Sequence, residues 1–162
     1  MRPALVLTLL LGLSACATAA PEAPPAESGS PQPVARYDWM LNGDDHTASL
    51  VYGVPETDDL RLGLDCQRGS GKLDLTAQVA AGASPEIYLE SGGDTERYPA
   101  EAFPSEFDDG LILTASAGAK EPVFQRFRRL GWLAVWQGKT REPLVAHPGS
   151  EALIERFFAF CG

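Results

Sequence analysis

Histidine and cysteine are scarce in this chain of 162 residues, which holds 2 of the first and 3 of the second. Any Ser-His-Asp arrangement must therefore use His46 or His147, and the Cys/His spacing of a structural zinc site is missing. Cations are scarce too: 13 Lys+Arg stand against 22 Asp+Glu, a net charge of -9. That balance argues against nucleic acid as a partner and against lying flat on an anionic membrane. Neither a Gly-x-Ser-x-Gly nucleophile elbow nor a Walker-type phosphate loop occurs. The apolar run at residues 4–13 is ten residues long, well short of the roughly 20 that a membrane-spanning helix needs.

That run is preceded by Arg2 and ends in Leu13-Ser14-Ala15-Cys16. A basic start, a short apolar core and small residues before the cut are the parts of a secretory signal. The four residues resemble the lipobox of a bacterial lipoprotein. The resemblance implies a signal peptide over residues 1–15, cleavage between Ala15 and Cys16, and acylation of Cys16 on its sulfur and its new amino group. Three acyl chains would then tie the chain to a membrane, where two anchoring signals already suffice at about 0.8 kcal/mol per buried methylene. Residue 17 is Ala and not Asp, which by analogy with lipoprotein sorting implies the outer membrane, facing the periplasm. The alternative is an ordinary secretory signal with a chance cysteine.

Residues 16–35 then read as the lipidated cysteine followed by a disordered spacer, because Ala, Pro, Ser, Glu and Gly bury too little apolar surface to offset the entropy of ordering. Residues 36–162 are the size of one domain with one core. With Cys16 assigned to lipid, Cys66 and Cys161 remain, and in an oxidising periplasm an even remainder reads as a disulfide. Closing a loop of about 95 residues would contribute on the order of 4 to 5 kcal/mol. Two free thiols or a two-cysteine metal site are the alternatives, and they lack a reducing compartment or further ligands.

Alternation predicts strands at 47–54, 60–66, 72–79, 86–90, 97–103, 111–115, 132–136 and 143–146, the first three forming a meander. A short amphipathic helix is expected at 122–130, with Val123, Phe127 and Leu130 on its apolar face. A second begins at Glu151, capped by Ser150, and turns Cys161 toward the sheet. The expected fold is mainly β: an antiparallel sandwich or small barrel with two short helices, the C-terminal one disulfide-linked to the sheet. The Cys66-x-x-Gly69-Ser70-Gly71 hairpin, the late apolar strand and the helix ending in Cys161 resemble small envelope lipoproteins of proteobacteria, a likeness that implies no activity. Gly69-Ser70-Gly71-Lys72 also resembles the Ser-Gly loop of lipid-anchored lysozyme inhibitors, which implies inhibition of a muramidase.

Four further groups invite a chemical reading. Asn42-Gly43-Asp44-Asp45-His46 offers carboxylates beside an imidazole for a cation or a proton, yet the same residues are what a turn requires. Ser150 near His147 suggests a hydrolase, against the simpler role of a helix cap. Arg126, Arg128 and Arg129 form the one basic cluster and are candidates for anionic envelope components, since Arg grips such groups bidentately. Their bland reading is a solvated helix end whose dipole favours cations. Trp132 and Trp136 lie on a strand apolar on both faces, which reads as buried and not as a ligand platform.

The expectation is thus a non-enzymatic, lipid-anchored interaction module without a cofactor or metal. Its partners would be the membrane, through the anchor, and an envelope protein or cell-wall component. The alternatives are a muramidase inhibitor and a hydrolase using His46 or His147. Replacing Cys16 tests the address: the natural chain should fractionate with membranes and incorporate labelled palmitate, whereas Cys16→Ser should do neither. A natural chain found in the soluble periplasm, unlabelled, would contradict it.

Overall fold

Side-chain alternation builds most of the fold. In a computed structural model, which describes residues 31–106 and 108–162, the chain forms β1 (Asp38–Gly43), β2 (Thr47–Gly53), β3 (Leu60–Gln67), β4 (Lys72–Val79), β5 (Glu86–Ser91), β6 (Asp94–Pro99), β7 (Glu101–Pro104), β8 (Leu111–Gly118), α1 (Pro122–Leu130), β9 (Trp132–Gln137), β10 (Thr140–Val145) and α2 (Glu151–Cys161). The signal, the lipobox with Cys16 and most of the spacer lie outside the described residues. Six strands make one antiparallel sheet in the order β1-β2-β3-β4-β8-β7, and four make another in the order β10-β9-β5-β6. The architecture is therefore mainly β and sandwich-like, with two helices. Among the described residues no helix is long and apolar enough to cross a membrane.

Leu50 pairs with Leu64, Leu64 with Leu75 and Leu75 with Ala115, a row across four strands in which all three leucines are fully buried. The next row holds Tyr52, Leu62, Ala77 and Leu113, also buried. Their alternates, among them Arg61, Asp65 and Thr76, face away from the core, as period-two patterning requires.

Two seams join the sheets. At one, β6 runs into β7 through Ala100, whose N–H donates to the carbonyl of Pro85 at 2.9 Å. The expected single strand at 97–103 is thereby corrected: the chain turns there and leaves the small sheet for the large one, as strands do at sandwich corners. Pro99 and Pro104 lack a donor and sit on these edge strands. At the other seam, Trp39 Nε1 of β1 donates to the carbonyl of Leu144 on β10 at 3.4 Å. Strand β1 adds to the expected strands, and its pattern is weak because only Trp39 and Leu41 of its six residues turn toward the core. Gly43 closes the hairpin to β2 where a Cβ would stand 2.4 Å from the carbonyl oxygen of Thr47, so no larger residue fits.

The helices cover what the small sheet leaves open. Helix α2 lies on β1 and β2, and α1 packs against β5, β6, β9 and α2. Pro122 opens α1 and Gly131, at φ 74°, ends it by donating its N–H to Phe127. Val123, Phe124 and Phe127 are its buried residues, whereas Leu130 is 41% exposed. The expected stripe through Leu130 is thus displaced to Phe124, because α1 is wedged between a sheet and a helix and buries neighbouring positions. Phe127 meets Trp39 at 4.8 Å and Phe158 at 6.0 Å, so both helices share one aromatic core.

Cys66 and Cys161 form the expected disulfide, with Cα atoms 5.8 Å apart across 95 positions of sequence. The loop after β3 reinforces it. Gly69 N–H donates to the carbonyl of Phe160 at 2.9 Å and Gly71 N–H to that of Cys161 at 2.8 Å, satisfying carbonyls that the helix end would leave unpaired. Arg68 lays its guanidinium 4.2 Å from the centroid of Phe160. The expected cap at the other end of α2 is corrected. Ser150 has helical φ and ψ and makes no side-chain cap; its hydroxyl donates to Asp38, which draws it away from the helix.

Removing the bridge tests the clasp. Cys161→Ser should lower unfolding free energy by about 2 to 5 kcal/mol, measured by denaturant melts, and added reductant should not destabilise that variant further. Equal stability with and without the bridge would show that the glycine loop holds α2 alone.

Candidate functional site

The two sheets part where β4 ends and β5 begins. Ala77 and Val79 of β4 and Leu113 of β8 face Ile87 of β5 and Val135 of β9 across a cleft of about 720 Å³. All five are buried members of the main core, so the floor of the cleft is the core itself. It stays open because the connection above it, Ala80-Ala81-Gly82-Ala83-Ser84, carries no side chain larger than that of Ser. A tight turn shapes that connection: Ala83 N–H donates to Ala80 at 3.2 Å, with Gly82 at φ 78°. Gln137 stands at the mouth and donates its side-chain amide to the carbonyl of Gln78 at 3.4 Å.

The mouth is acidic. Glu86 accepts the Tyr88 hydroxyl at 2.8 Å and a guanidinium N–H of Arg97. The Tyr88 hydroxyl first, then Arg97, hold its carboxyl below the usual carboxylate range. A second recess, of about 420 Å³, shares Val79, Ala80, Ala81, Gln137 and Thr140 with the cleft and brings in Asp108, Asp109, Glu142 and Arg61. Arg61 is engaged by Asp59 at 3.2 Å and Glu142 at 3.5 Å. The Gly110 N–H, then the Ser105 hydroxyl, hold Asp108 low as well, so it is ionised at neutral pH. Apolar side chains under the cleft and carboxylates in the adjoining recess could engage the two halves of an amphiphile, and concave apolar sites with a few polar groups are the usual ligand seats.

The residues singled out in the sequence lie elsewhere. Asp44 closes the β1–β2 hairpin by accepting the N–H groups of His46 at 2.7 Å and Thr47 at 2.9 Å, which keep its carboxyl low. His46 is exposed at that turn. Asp38, His147 and Ser150 do come together, yet in the wrong order for a triad. Asp38 accepts the Ser150 hydroxyl and the backbone N–H of His147, while the imidazole Nε2 pairs with the carbonyl of Val34 at 3.0 Å. A triad needs the imidazole between hydroxyl and carboxylate. Gly69 and Gly71 spend their N–H groups on the end of α2, so the loop is a clasp and not a phosphate cradle.

The three arginines are not brought together as a free patch. Arg126 pairs with Glu96 at 3.1 Å and donates to the Ser91 carbonyl at 2.6 Å. Arg128 grips Glu155 of α2 through two nitrogens at 2.6 and 3.1 Å and lies over Phe158. Both are clips between elements, and Arg129 is exposed. Trp132 and Trp136 are buried, as their strand suggested.

Sequence reasoning missed what holds those tryptophans. Glu90, 0% exposed, accepts Trp136 Nε1 at 2.8 Å and two nitrogens of Arg141 at 2.7 and 3.0 Å. Arg141 also stacks 5.2 Å from the centroid of Trp132. Only the register of β10, β9 and β5 brings these residues together, and local patterning carries no trace of it. Breaking a buried pair from one side leaves the other charge uncompensated. Glu90→Gln or Arg141→Met should therefore each cost about 3 to 5 kcal/mol of unfolding free energy, with the double variant costing less than the sum. Losses near zero in both single variants would contradict a buried pair. No protein-family model, curated protein or solved structure matches this chain.

Proposed function

We propose that this chain is a lipid-anchored protein of the bacterial envelope, on the periplasmic side of the outer membrane, whose folded part binds a ligand without transforming it. The cleft between the sheets is the seat of that ligand. One observation carries the reading: the cleft has a hydrocarbon floor continuous with the core, and around its mouth Glu86 and Glu142 are paired with arginines while Asp108 and Asp109 of the adjoining recess have no ion pair among the described residues. Neither His46 nor His147 lines it. Two features of the sequence support the location. Leu13-Ser14-Ala15-Cys16 is the anchor, and the Cys66–Cys161 bridge suits an oxidising compartment.

Burying an apolar ligand face gains about 25 cal/mol per Å² removed from water, while the small side chains of the 80–84 connection leave room for it. A neutral apolar dye such as N-phenyl-1-naphthylamine reports such a site by its fluorescence. It should bind at a single site with micromolar affinity, and Ala81→Trp, which places a ring at the mouth without touching the floor, should weaken binding about tenfold. Binding that is absent, or indifferent to residue 81, would contradict the cleft as the seat.

A further inference from the structure

The charges around the cleft say what kind of amphiphile it takes. We infer, on the reading of the cleft as a ligand seat, that its ligand is a single-tailed amphiphile with a cationic head, a protonated amine or quaternary ammonium.

The floor dictates the tail. Ala77, Val79, Ile87, Leu113 and Val135 offer only hydrocarbon, and a polar group placed among them would lose its water without gaining a partner. The volume of about 720 Å³ lies within the range of drug-sized ligand sites. The cleft opens beside the 80–84 connection, so a tail laid on the floor leaves its head there.

The mouth dictates the head. Glu86, Asp108, Asp109 and Glu142 line the two joined recesses, against Arg61 as the one lining cation among the described residues. Arg97 reaches Glu86 from β6, and Arg61 is spent on Asp59 and Glu142. Both guanidinium groups thus face carboxylates already, which leaves Asp108 and Asp109 as the lining carboxylates without an ion pair among the described residues. Asp108 keeps its charge through the Gly110 N–H, and Asp109 adjoins it. A carboxylate or phosphate head would enter a field of like charge on a chain whose net charge is -9, whereas an ammonium finds carboxylates within reach of water. Tyr88, bonded to Glu86 and opposite Trp136 in register, adds an aromatic ring at the same rim, and rings attract alkylated ammonium groups.

The experiment uses three amphiphiles with one tail: dodecyltrimethylammonium, dodecyl maltoside and dodecanoate, each below its micelle concentration. They are titrated calorimetrically into the full chain carrying Cys16→Ser. Dodecyltrimethylammonium should bind about tenfold or more tighter than dodecanoate, with the maltoside between them. Raising salt should compress that order, because exposed charges are screened. In the double variant Asp108→Asn, Asp109→Asn, which keeps the acceptor for the Gly110 N–H, the ammonium should lose most of its advantage while the maltoside is unaffected. Dodecanoate binding as tightly as the ammonium, with all three tails bound, would overturn the cationic head and leave the cleft as a ligand seat. No binding by any of the three would overturn both.

Discussion

The bridge between Cys66 and Cys161 fixes how the inner face of the six-stranded sheet is shared out. That face is wider than the four-stranded sheet opposite it, so part of it must be covered by something else. Tied down by the disulfide and by the N–H groups of Gly69 and Gly71, α2 takes the β1–β2 side, and α1 wedges between α2 and the small sheet. Phe124, Phe127, Phe157 and Phe158 fill that half with rings. The other half, between β4–β8 and β5–β9, receives Ala77, Val79 and a connection of alanines, and there the packing stops short. The cleft is thus the counterpart of the aromatic half: bulk is concentrated where the helices are held and missing where the sheets part.

Electrostatics follow the same economy. Among the described residues, five arginines act as clips between elements, Arg126 to Glu96, Arg128 to Glu155, Arg141 to Glu90, Arg97 to Glu86 and Arg61 to Glu142, and Arg68 ties the β1–β2 turn through Asp45. Exposed pairs of this kind are worth little each, whereas the buried Glu90–Arg141 pair is costly to break from either side. A chain so short of cations that spends them internally leaves its surface, and the mouth of its cleft, to carboxylates.

Much of the fold was legible in the sequence because it rests on local periodicity. The alternation over 60–66 and 72–79, the helix opened by Pro122, and the inward face of Cys161 are properties of neighbours in the chain. What escaped depends on distant residues. Strand β1 shows little alternation and exists because β2 pairs with it, and Ala100 splits one extended run because the carbonyl of Pro85 receives its N–H. Ser150 fails as a cap because Asp38, from the other end of the domain, competes for its hydroxyl. The cleft was invisible for a different reason. It is a space bounded by four strands and a connection of small residues, and a space has no residue type of its own.

The most direct test of the account is methyl NMR of the folded chain titrated with a neutral apolar ligand. Val79, Ile87, Leu113 and Val135 should shift together and show contacts to the ligand, while Leu50 and Leu64, deep in the β2–β3 core, should stay in place. Contacts confined to Leu130, Phe103 or another exposed apolar side chain, with the four floor methyls unmoved, would contradict a ligand seated between the sheets.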